Sequence, residues 1–282
     1  MSPNASESRV GGLALRPLSA RSVVLSLLLG AHPPELPVRD LVRVVEPFGV
    51  GPSTLRAALS RMVAAGDLRR ADAVYRLSDR LLERQRRQDD AVRPRTRAWG
   101  GDWETVVITS TGRGPAERAE LRARLAALRL AELREGVWLR PANLDRPLPR
   151  ELDHVAELCT ARPARDAREL AARLWPLGEW AATARALLVE VGGAAETDGD
   201  AGAVGPRGDA ESGCGRAGDG AEGAGARHPA ARLTAFAAVV RHLLADPVLP
   251  AGLLPADWPG PALRDAYGAY QRELTERVAG RA

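Results

Sequence analysis

The connection between two predicted helices near residue 50 is the feature that most constrains how this chain can fold. The segment "VRDLVRVVEP" carries apolar residues at helical spacing, and Pro47 and a turn over residues 49–52 end it. A second helix follows, with Ser53 as its predicted N-cap, and runs to Gly66. Two helices separated by so few residues are typical of a helix-turn-helix.

The flanking segments predict a winged form of this motif. "ARSVVLSLLLG" over residues 20–30 predicts a preceding helix, and Ser19 is its expected N-cap. "DLRRADAVYRLS" predicts two short strands joined by a tight turn at Ala71–Ala73. We therefore predict a flexible tail at residues 1–18 and a winged helix-turn-helix DNA-binding domain at 19–80.

The third helix of this domain has two different faces. An apolar stripe is formed by Leu55, Leu59, Met62 and Val63 and is expected to anchor the helix in the core. The opposite face is expected to bind DNA bases and phosphates through Ser53, Thr54, Arg56, Ala57, Ser60 and Arg61. Phosphate contacts are expected from the wing, through Arg69, Arg70 and Arg76. The alternative is a scaffold helix whose polar face is merely solvated.

The distribution of charge also favours a nucleic-acid partner. Residues 1–100 hold 17 Arg against 10 acidic residues, a net charge of +7, whereas the whole chain has a net charge of +4. A basic N-terminal third is the electrostatic pattern of a domain that binds nucleic acid.

The remainder of the chain predicts an α+β domain followed by helices. An Arg-rich linker helix is expected at 81–100. A strand at 103–110, a helix from Pro115 to about Leu133, and strands in "EGVWLRPANL" and "HVAELCTA" indicate a ferredoxin-like domain at 101–165. A helical C-terminal domain is expected at 166–282, with a break at Pro176. It contains a Gly-rich insert at 191–228 whose composition predicts disorder.

Residue types exclude several kinds of catalysis. The chain contains no Lys, because all forty basic residues are Arg, so it can form neither a P-loop nor a Schiff base with lysine. Four His and two distant Cys show no metal-ligand spacing. A metal-dependent nuclease is the rival class, but "ITSTGRG" after the first strand offers no carboxylate. We expect no enzyme activity, no cofactor and no metal.

The apolar segments predict no membrane span, since no stretch approaches 18 consecutive apolar residues. "VVLSLLLG" at 23–30 follows three Arg and leaves a signal-peptide core as an alternative. The short run and the scarcity of cysteine favour the cytoplasm, where a DNA-binding protein would associate with the nucleoid.

The sequence resembles the PaaX family of transcriptional repressors, named for phenylacetate catabolism. The matching stretches are "ARSVVLSLLLG", "EPFGVGPSTLRAALSRMVAAGDL", "YRLS", "GVWLRPANL" and "LLADPVLPAGLLPADWPGPALRDAYGAY". The resemblance implies a winged helix, a Cas2-like middle domain and a helical C-terminal domain. It also implies a bacterial homodimer that binds an operator and is released by an aryl-CoA thioester such as phenylacetyl-CoA.

The chain departs from the family pattern at three places: Asp67 replaces a usual aromatic, the wing tip lacks basic residues, and the Gly-rich insert is additional.

An effector pocket is expected to use aromatic rings and one cation: Trp138, Arg140, Trp175 and Trp180. The alternative for these tryptophans is core packing. The alternative for the whole chain is a winged-helix adaptor that contacts proteins without binding specific DNA.

Overall fold

The computed structural model describes residues 9–10, 13–14, 18–199 and 229–280. The chain forms two compact units. The first comprises residues 1–82, 186–238 and 270–282, and the second comprises residues 83–185 and 239–269. Mixed helices and antiparallel sheets confirm the predicted α+β class.

The first unit contains the predicted helix-turn-helix and wing. Its helices are α1 (Ala20–Gly30), α2 (Val38–Val45) and α3 (Pro52–Ala64), and its wing strands are β4 (Leu68–Ala71) and β5 (Val74–Leu77). A further strand that the sequence did not predict, β3 (Glu35–Pro37), pairs with β5 to give the order β3-β5-β4. It was missed because three residues with a proline are too short to show a strand periodicity.

The N-terminal tail is described only in part. Strands β1 (Arg9–Val10) and β2 (Leu13–Ala14) pair antiparallel. Residues 1–8, 11–12 and 15–17 lie outside the described residues, and so does most of the predicted flexible tail.

The core of the winged helix joins the three helices through apolar side chains at helical spacing. Six of the eleven residues of α1 are buried, because both of its apolar faces are covered. Leu41 of α2 and Leu55 of α3 have no exposed surface. Each fully buried leucine contributes about 1.5–3 kcal/mol of transfer free energy, which orients α3 against α1 and α2.

The second unit contains a four-stranded antiparallel sheet. Its elements in chain order are β6 (Trp103–Ile108), α5 (Pro115–Ala127), β7 (Ala131–Arg134), β8 (Val137–Pro141) and β9 (Ala156–Ala161), and the strand order is β7-β8-β6-β9. This order is the ferredoxin-like arrangement, with a short 3-10 helix (Arg150–His154) in place of the second crossover helix.

The prediction of a helix as far as Leu133 was wrong. Helix α5 ends at Ala127, and β7, which the sequence did not predict, starts four residues later. The backbone turns at Arg129, whose φ is 64°, and again at Gly136, whose φ is 77°. The Ala- and Leu-rich composition of this segment has high helix propensity, and its pairing with β8 overrides that local preference.

Both faces of this sheet are covered. Val106 and Trp138 pack against Leu121 and Leu125 of α5 on one face. On the other face, Trp103 and Leu139 pack against α6 (Ala167–Leu174). The side chains alternate between the two faces along β6 and β8, as the pleat requires.

The remaining helices are α4 (Asp79–Val92), α7 (Leu177–Gly199), α8 (Pro229–Leu244) and α9 (Gly260–Val278). The predicted break at Pro176 separates α6 from α7. The predicted disorder begins too early, because α7 continues through Gly199 with Val191 buried. Residues 200–228 of the predicted insert lie outside the described residues. None of the described helices is long and apolar enough to cross a membrane.

Candidate nucleic-acid interface

Helix α3 begins two residues earlier than predicted. Gly51 is its N-cap and Pro52 occupies the first helical position, where a missing N–H and a fixed φ are favourable. Ser53 is therefore not the cap but an exposed residue of the first turn. Its hydroxyl is not used to cap the helix and stays at the surface.

The buried face of α3 differs from the predicted stripe at one position. Leu55, Leu59 and Met62 are buried as expected, but Ala58 completes the stripe. Val63 is 37% exposed and was wrongly placed in the core. A residue at position 63 lies about 100° around the helix from Met62, at the edge of the apolar stripe.

The opposite face of α3 is entirely solvent-exposed. It consists of the six residues predicted to bind DNA: Ser53, Thr54, Arg56, Ala57, Ser60 and Arg61. Arg61 Nε donates to the carbonyl oxygen of Ala57 at 3.2 Å, and the side chain of Arg56 has no ion-pair or hydrogen-bond partner among the described residues. Since α3 contains no acidic residue, this face carries positive charge without compensation from its own helix.

The arginines of the wing are exposed, but each one is engaged within the first unit. Arg69 forms an ion pair with Asp79, and Arg76 Nε lies 2.7 Å from a carboxylate oxygen of Glu35. Arg70 donates to the carbonyl oxygen of Asp72 at 3.0 Å, and its guanidinium lies 5.8 Å from the centre of the Tyr75 ring. A phosphate contact by these residues would compete with existing partners.

A buried carboxylate at the start of the wing was not recognised from the sequence as a structural residue. Asp67 is 1% exposed. Its carboxylate accepts hydrogen bonds from Arg21 Nε and Nη2, at 3.2 and 2.6 Å, and forms an ion pair with Arg80. Asp67 thus connects α1, the start of β4 and α4. The signal in the sequence was its replacement of a usual aromatic, since an acid there needs cationic partners.

The four residues predicted to bind an effector lie in the second unit, at different points of its core. Trp138 is on the α5 side of the sheet. Trp175 stacks on Trp103 with ring centres 6.4 Å apart, and Trp180 stacks on Trp258 and His242 at 4.5 and 4.3 Å.

Arg140 is fully buried, and its guanidinium bonds to oxygens of the protein itself. It donates to Asn143 Oδ1 at 2.7 Å and to the carbonyl oxygens of Pro141 and Val248 at 3.0 and 3.3 Å. Burial is the main cause that lowers the pKa of Arg140 to about 9; the nearby charge of Arg146 acts in the same direction, and Glu104 opposes the shift. Arg140 therefore attaches β8 to the segment around Val248.

The same segment is held from its other side. Asp246 is 1% exposed, accepts from Arg264 at 2.6 Å and accepts from the backbone N–H of Val248 at 2.8 Å. These bonds keep Val248 at a φ of 51°, which is unusual for a β-branched residue. This Pro-rich stretch carries the family resemblance, but no local pattern in it predicts the buried hydrogen bonds that hold it.

The described residues contain no group of three or more His, Cys, Asp and Glu side chains that could hold a metal ion. The end of β6 and the loop after it, "ITSTGRG", carry no carboxylate, so the chemistry of a metal-dependent nuclease has no ligands at that position.

Comparisons with known proteins agree with this architecture. Three family models match: PaaX-like protein over residues 19–81, the PaaX protein central Cas2-like domain over 96–164, and the PaaX-like protein C-terminal domain over 226–280. Among solved structures, the uncharacterized protein Rv0674 from Mycobacterium tuberculosis is 42% identical, with a TM-score of 0.73. The match covers 93% of this chain and 98% of that one. No curated protein matches the sequence significantly.

Proposed function

Since the chain belongs to the PaaX family of transcriptional regulators, we propose that it is a dimeric repressor whose α3 reads an operator in the major groove. The observation that carries the proposal is the exposed face of α3, where Arg56 has no partner among the described residues. A guanidinium can bind guanine with two hydrogen bonds and discriminate against other bases by about 1–3 kcal/mol.

The remaining residues of the interface have supporting roles in this proposal. Ser53, Thr54 and Ser60 hydrogen-bond bases or phosphates, and Ala57 lets the helix approach the groove closely. The wing residues Arg69, Arg70 and Arg76 contact phosphates. Two winged helices of a homodimer occupy half-sites about 34–36 Å apart, or a multiple of that distance.

An effector releases the operator in this proposal, and an aryl-CoA thioester such as phenylacetyl-CoA is the expected ligand. The residues proposed for it from the sequence are Trp138, Arg140, Trp175 and Trp180. Trp175 is the half-buried member of the set, and the other three are buried. The effector shifts DNA affinity only by the ratio of its affinities for the bound and released forms. The protein would act in the cytoplasm, at the nucleoid.

The test begins by selecting genomic fragments that bind the full-length protein. The enriched site and a scrambled duplex are then compared by fluorescence polarisation over a range of salt concentrations. Arg56→Ala and Arg61→Ala should lose the preference for the enriched site by about tenfold or more. The control is Arg118→Ala, which removes the same charge from the exposed surface of α5.

Two outcomes would overturn the proposal. If Arg56→Ala and Arg61→Ala both keep the full preference for the enriched site, the surface that recognises the DNA sequence lies outside α3. If no fragment is enriched and binding does not depend on salt, the winged helix would instead be an adaptor that contacts proteins, since binding through phosphates always depends on salt.

A further inference from the structure

The end of α9 lies against the helix-turn-helix within the first unit. The part of α9 from Tyr270 to Val278 belongs to that unit, together with α2 and the turn before α3. Arg43, in the last turn of α2, donates from Nη2 to the carbonyl oxygen of Val278 at 2.5 Å. Val278 is the last residue of α9, and the carbonyl groups at that position have no partner within a helix. Arg43 therefore binds the negative end of the α9 dipole.

The backbone beyond α9 leaves room for this guanidinium. Gly280 has a φ of 70°, and its N–H donates to the carbonyl oxygen of Arg277 at 3.2 Å, which closes the end of the helix. A Cβ added at Gly280 would lie 3.2 Å from Arg43 Nη1, which is a tight contact. Any other residue type at position 280 would therefore be strained and would press on Arg43.

Phe48 makes a second connection to α9. It ends the short 3-10 helix (Glu46–Phe48) that follows α2, and it lines a small cavity of about 40 Å³ together with Tyr270 and Leu274. Tyr270 is held in place, because its ring stacks on that of Phe236 in α8 with the ring centres 4.0 Å apart. The end of α9 therefore lies next to this 3-10 helix as well as to α2.

These contacts reach the segment that sets the direction of α3. The N–H of Gly49 donates to the carbonyl oxygen of Glu46 at 2.9 Å. The N–H of Val50 donates to that of Val45 at 3.4 Å, so hydrogen bonds connect the end of α2 to the turn. Helix α3 starts at Pro52, directly after this turn. A shift at the end of α2 would therefore move the first turn of α3 and its exposed face.

We propose that Arg43 is a positioning residue for DNA recognition, and that the end of α9 is the support against which it holds the helix-turn-helix. This role rests on the proposed function, since it requires that α3 reads the operator. Arg43 acts through the carbonyl group of α9 and not through a phosphate of the DNA. Loss of Arg43 leaves the side chains of α3 intact but loosens the orientation of the helix. Hydrogen bonds to base edges then weaken more than contacts to phosphates, because base recognition depends on exact geometry.

The test compares two arginines of α2 by fluorescence polarisation of the full-length protein. Arg43→Ala should lower the ratio of the affinities for the enriched site and a scrambled duplex about fivefold, while the affinity for the scrambled duplex hardly changes. Arg39→Ala is the control, because Arg39 also lies close to Asp40 but has no hydrogen bond to α9 among the described residues. It should leave the ratio unchanged. Arg56→Ala is measured beside them.

A second pair of variants tests the partner of Arg43. Gly280→Ala should lower the same ratio, because the new Cβ displaces the guanidinium. The double variant with Arg43→Ala should lose no more than Arg43→Ala alone, since both changes remove one contact. Gly112→Ala is the control, because Gly112 has a similar φ of 75° but no atom lies within 4 Å of an added Cβ.

Three other results would each overturn the role of Arg43. If Arg43→Ala lowers the slope of log affinity against log salt by about one, Arg43 binds a phosphate directly. If it weakens binding to both duplexes equally and its thermal midpoint falls below that of Arg39→Ala, Arg43 only stabilises the fold. If Arg56→Ala loses the preference and Arg43→Ala keeps it, the proposed function stands and the role of Arg43 is wrong. If both variants keep the preference, α3 does not read the operator and both proposals fail.

Discussion

Arginine has opposite roles on α3 and on β8. All forty basic residues of the chain are Arg, so the difference does not come from residue type. Arg56 on α3 is exposed and has no partner among the described residues, whereas Arg140 is fully buried and donates to five oxygens of its own unit. Acceptors supplied by the fold therefore decide whether an arginine stabilises the structure or remains free for a ligand.

Burial explains why the acceptors are necessary. A guanidinium removed from water loses strong solvation, and only hydrogen bonds of good geometry offset that loss. The lowered pKa of Arg140, about 9, expresses the remaining cost. The group stays protonated near pH 7 and can keep donating to Asn143 and Val248.

The largest expected effect is the loss of stability when the buried Arg140 is replaced. Arg140→Ala should lower the free energy of unfolding of the second unit by about 3–5 kcal/mol, since it leaves a cavity and unpaired buried acceptors. Arg56→Ala should change stability by less than about 0.5 kcal/mol. Urea unfolding followed by tryptophan fluorescence measures the first effect selectively, because all six Trp lie in the second unit. Circular dichroism measures the second effect. If Arg140→Ala and Arg56→Ala lose similar amounts of stability, the distinction between a structural and a free arginine would be wrong.

The second prediction concerns Asp67, a buried carboxylate that joins the wing to the helices of the first unit. Asp67→Asn should destabilise the first unit by about 1–3 kcal/mol, because two charge-assisted contacts lose their anion. Unfolding followed by circular dichroism should show this loss while the tryptophan signal changes little. Glu46→Gln, at an exposed acid of the same unit, is the control. A stability of Asp67→Asn equal to that of the control would show that Arg21 and Arg80 do not depend on the carboxylate.

The third prediction tests the wing, whose arginines are exposed but paired. Arg69→Ala and Arg76→Ala should each cost less than about 1 kcal/mol of stability, as exposed ion pairs do. Because these residues already have partners, their removal should weaken operator binding less than Arg56→Ala does. Where a phosphate contact exists, the slope of log affinity against log salt should fall by about one. Polarisation titrations measure the operator affinity and its salt dependence. If a wing variant binds the operator more weakly than Arg56→Ala does, the wing and not α3 would make the stronger DNA contact.

The smallest effect is a pH dependence at His242. Burial against Trp180 lowers its pKa below the ordinary 6.5, while the hydrogen bond to the Trp180 carbonyl and the charge of Asp246 oppose the shift. As pH falls through 6.5, the unfolded chain takes up the proton before the folded one, so stability decreases. Urea unfolding between pH 7.5 and 5.5 should show the decrease, and His242→Gln should reduce its slope. If the slope of stability against pH is unchanged in His242→Gln, other titrating groups cause the loss of stability.

Local patterns predicted the long helices and the wing hairpin because their periodicity lies within one segment. The same patterns missed β3 and β7, which are strands only because β5 and β8 pair with them. They also extended α5 beyond Ala127, because helix propensity carries no information on the turn at Arg129 or on the pairing of β7 with β8. The α3 face was predictable residue by residue, apart from the cap at Gly51 and the exposure of Val63.

The sequence by itself determined the order of helices, the short turn before α3 and the family to which the chain belongs. These depend on spacing between near neighbours and on strings of fixed residues. Only the tertiary structure decided which arginines are free and which are used, and it alone brought Arg43 of α2 to the end of α9. The reason is that the acceptors come from distant parts of the chain, as Val248 does for Arg140 across 108 residues, and no local pattern encodes such a pairing.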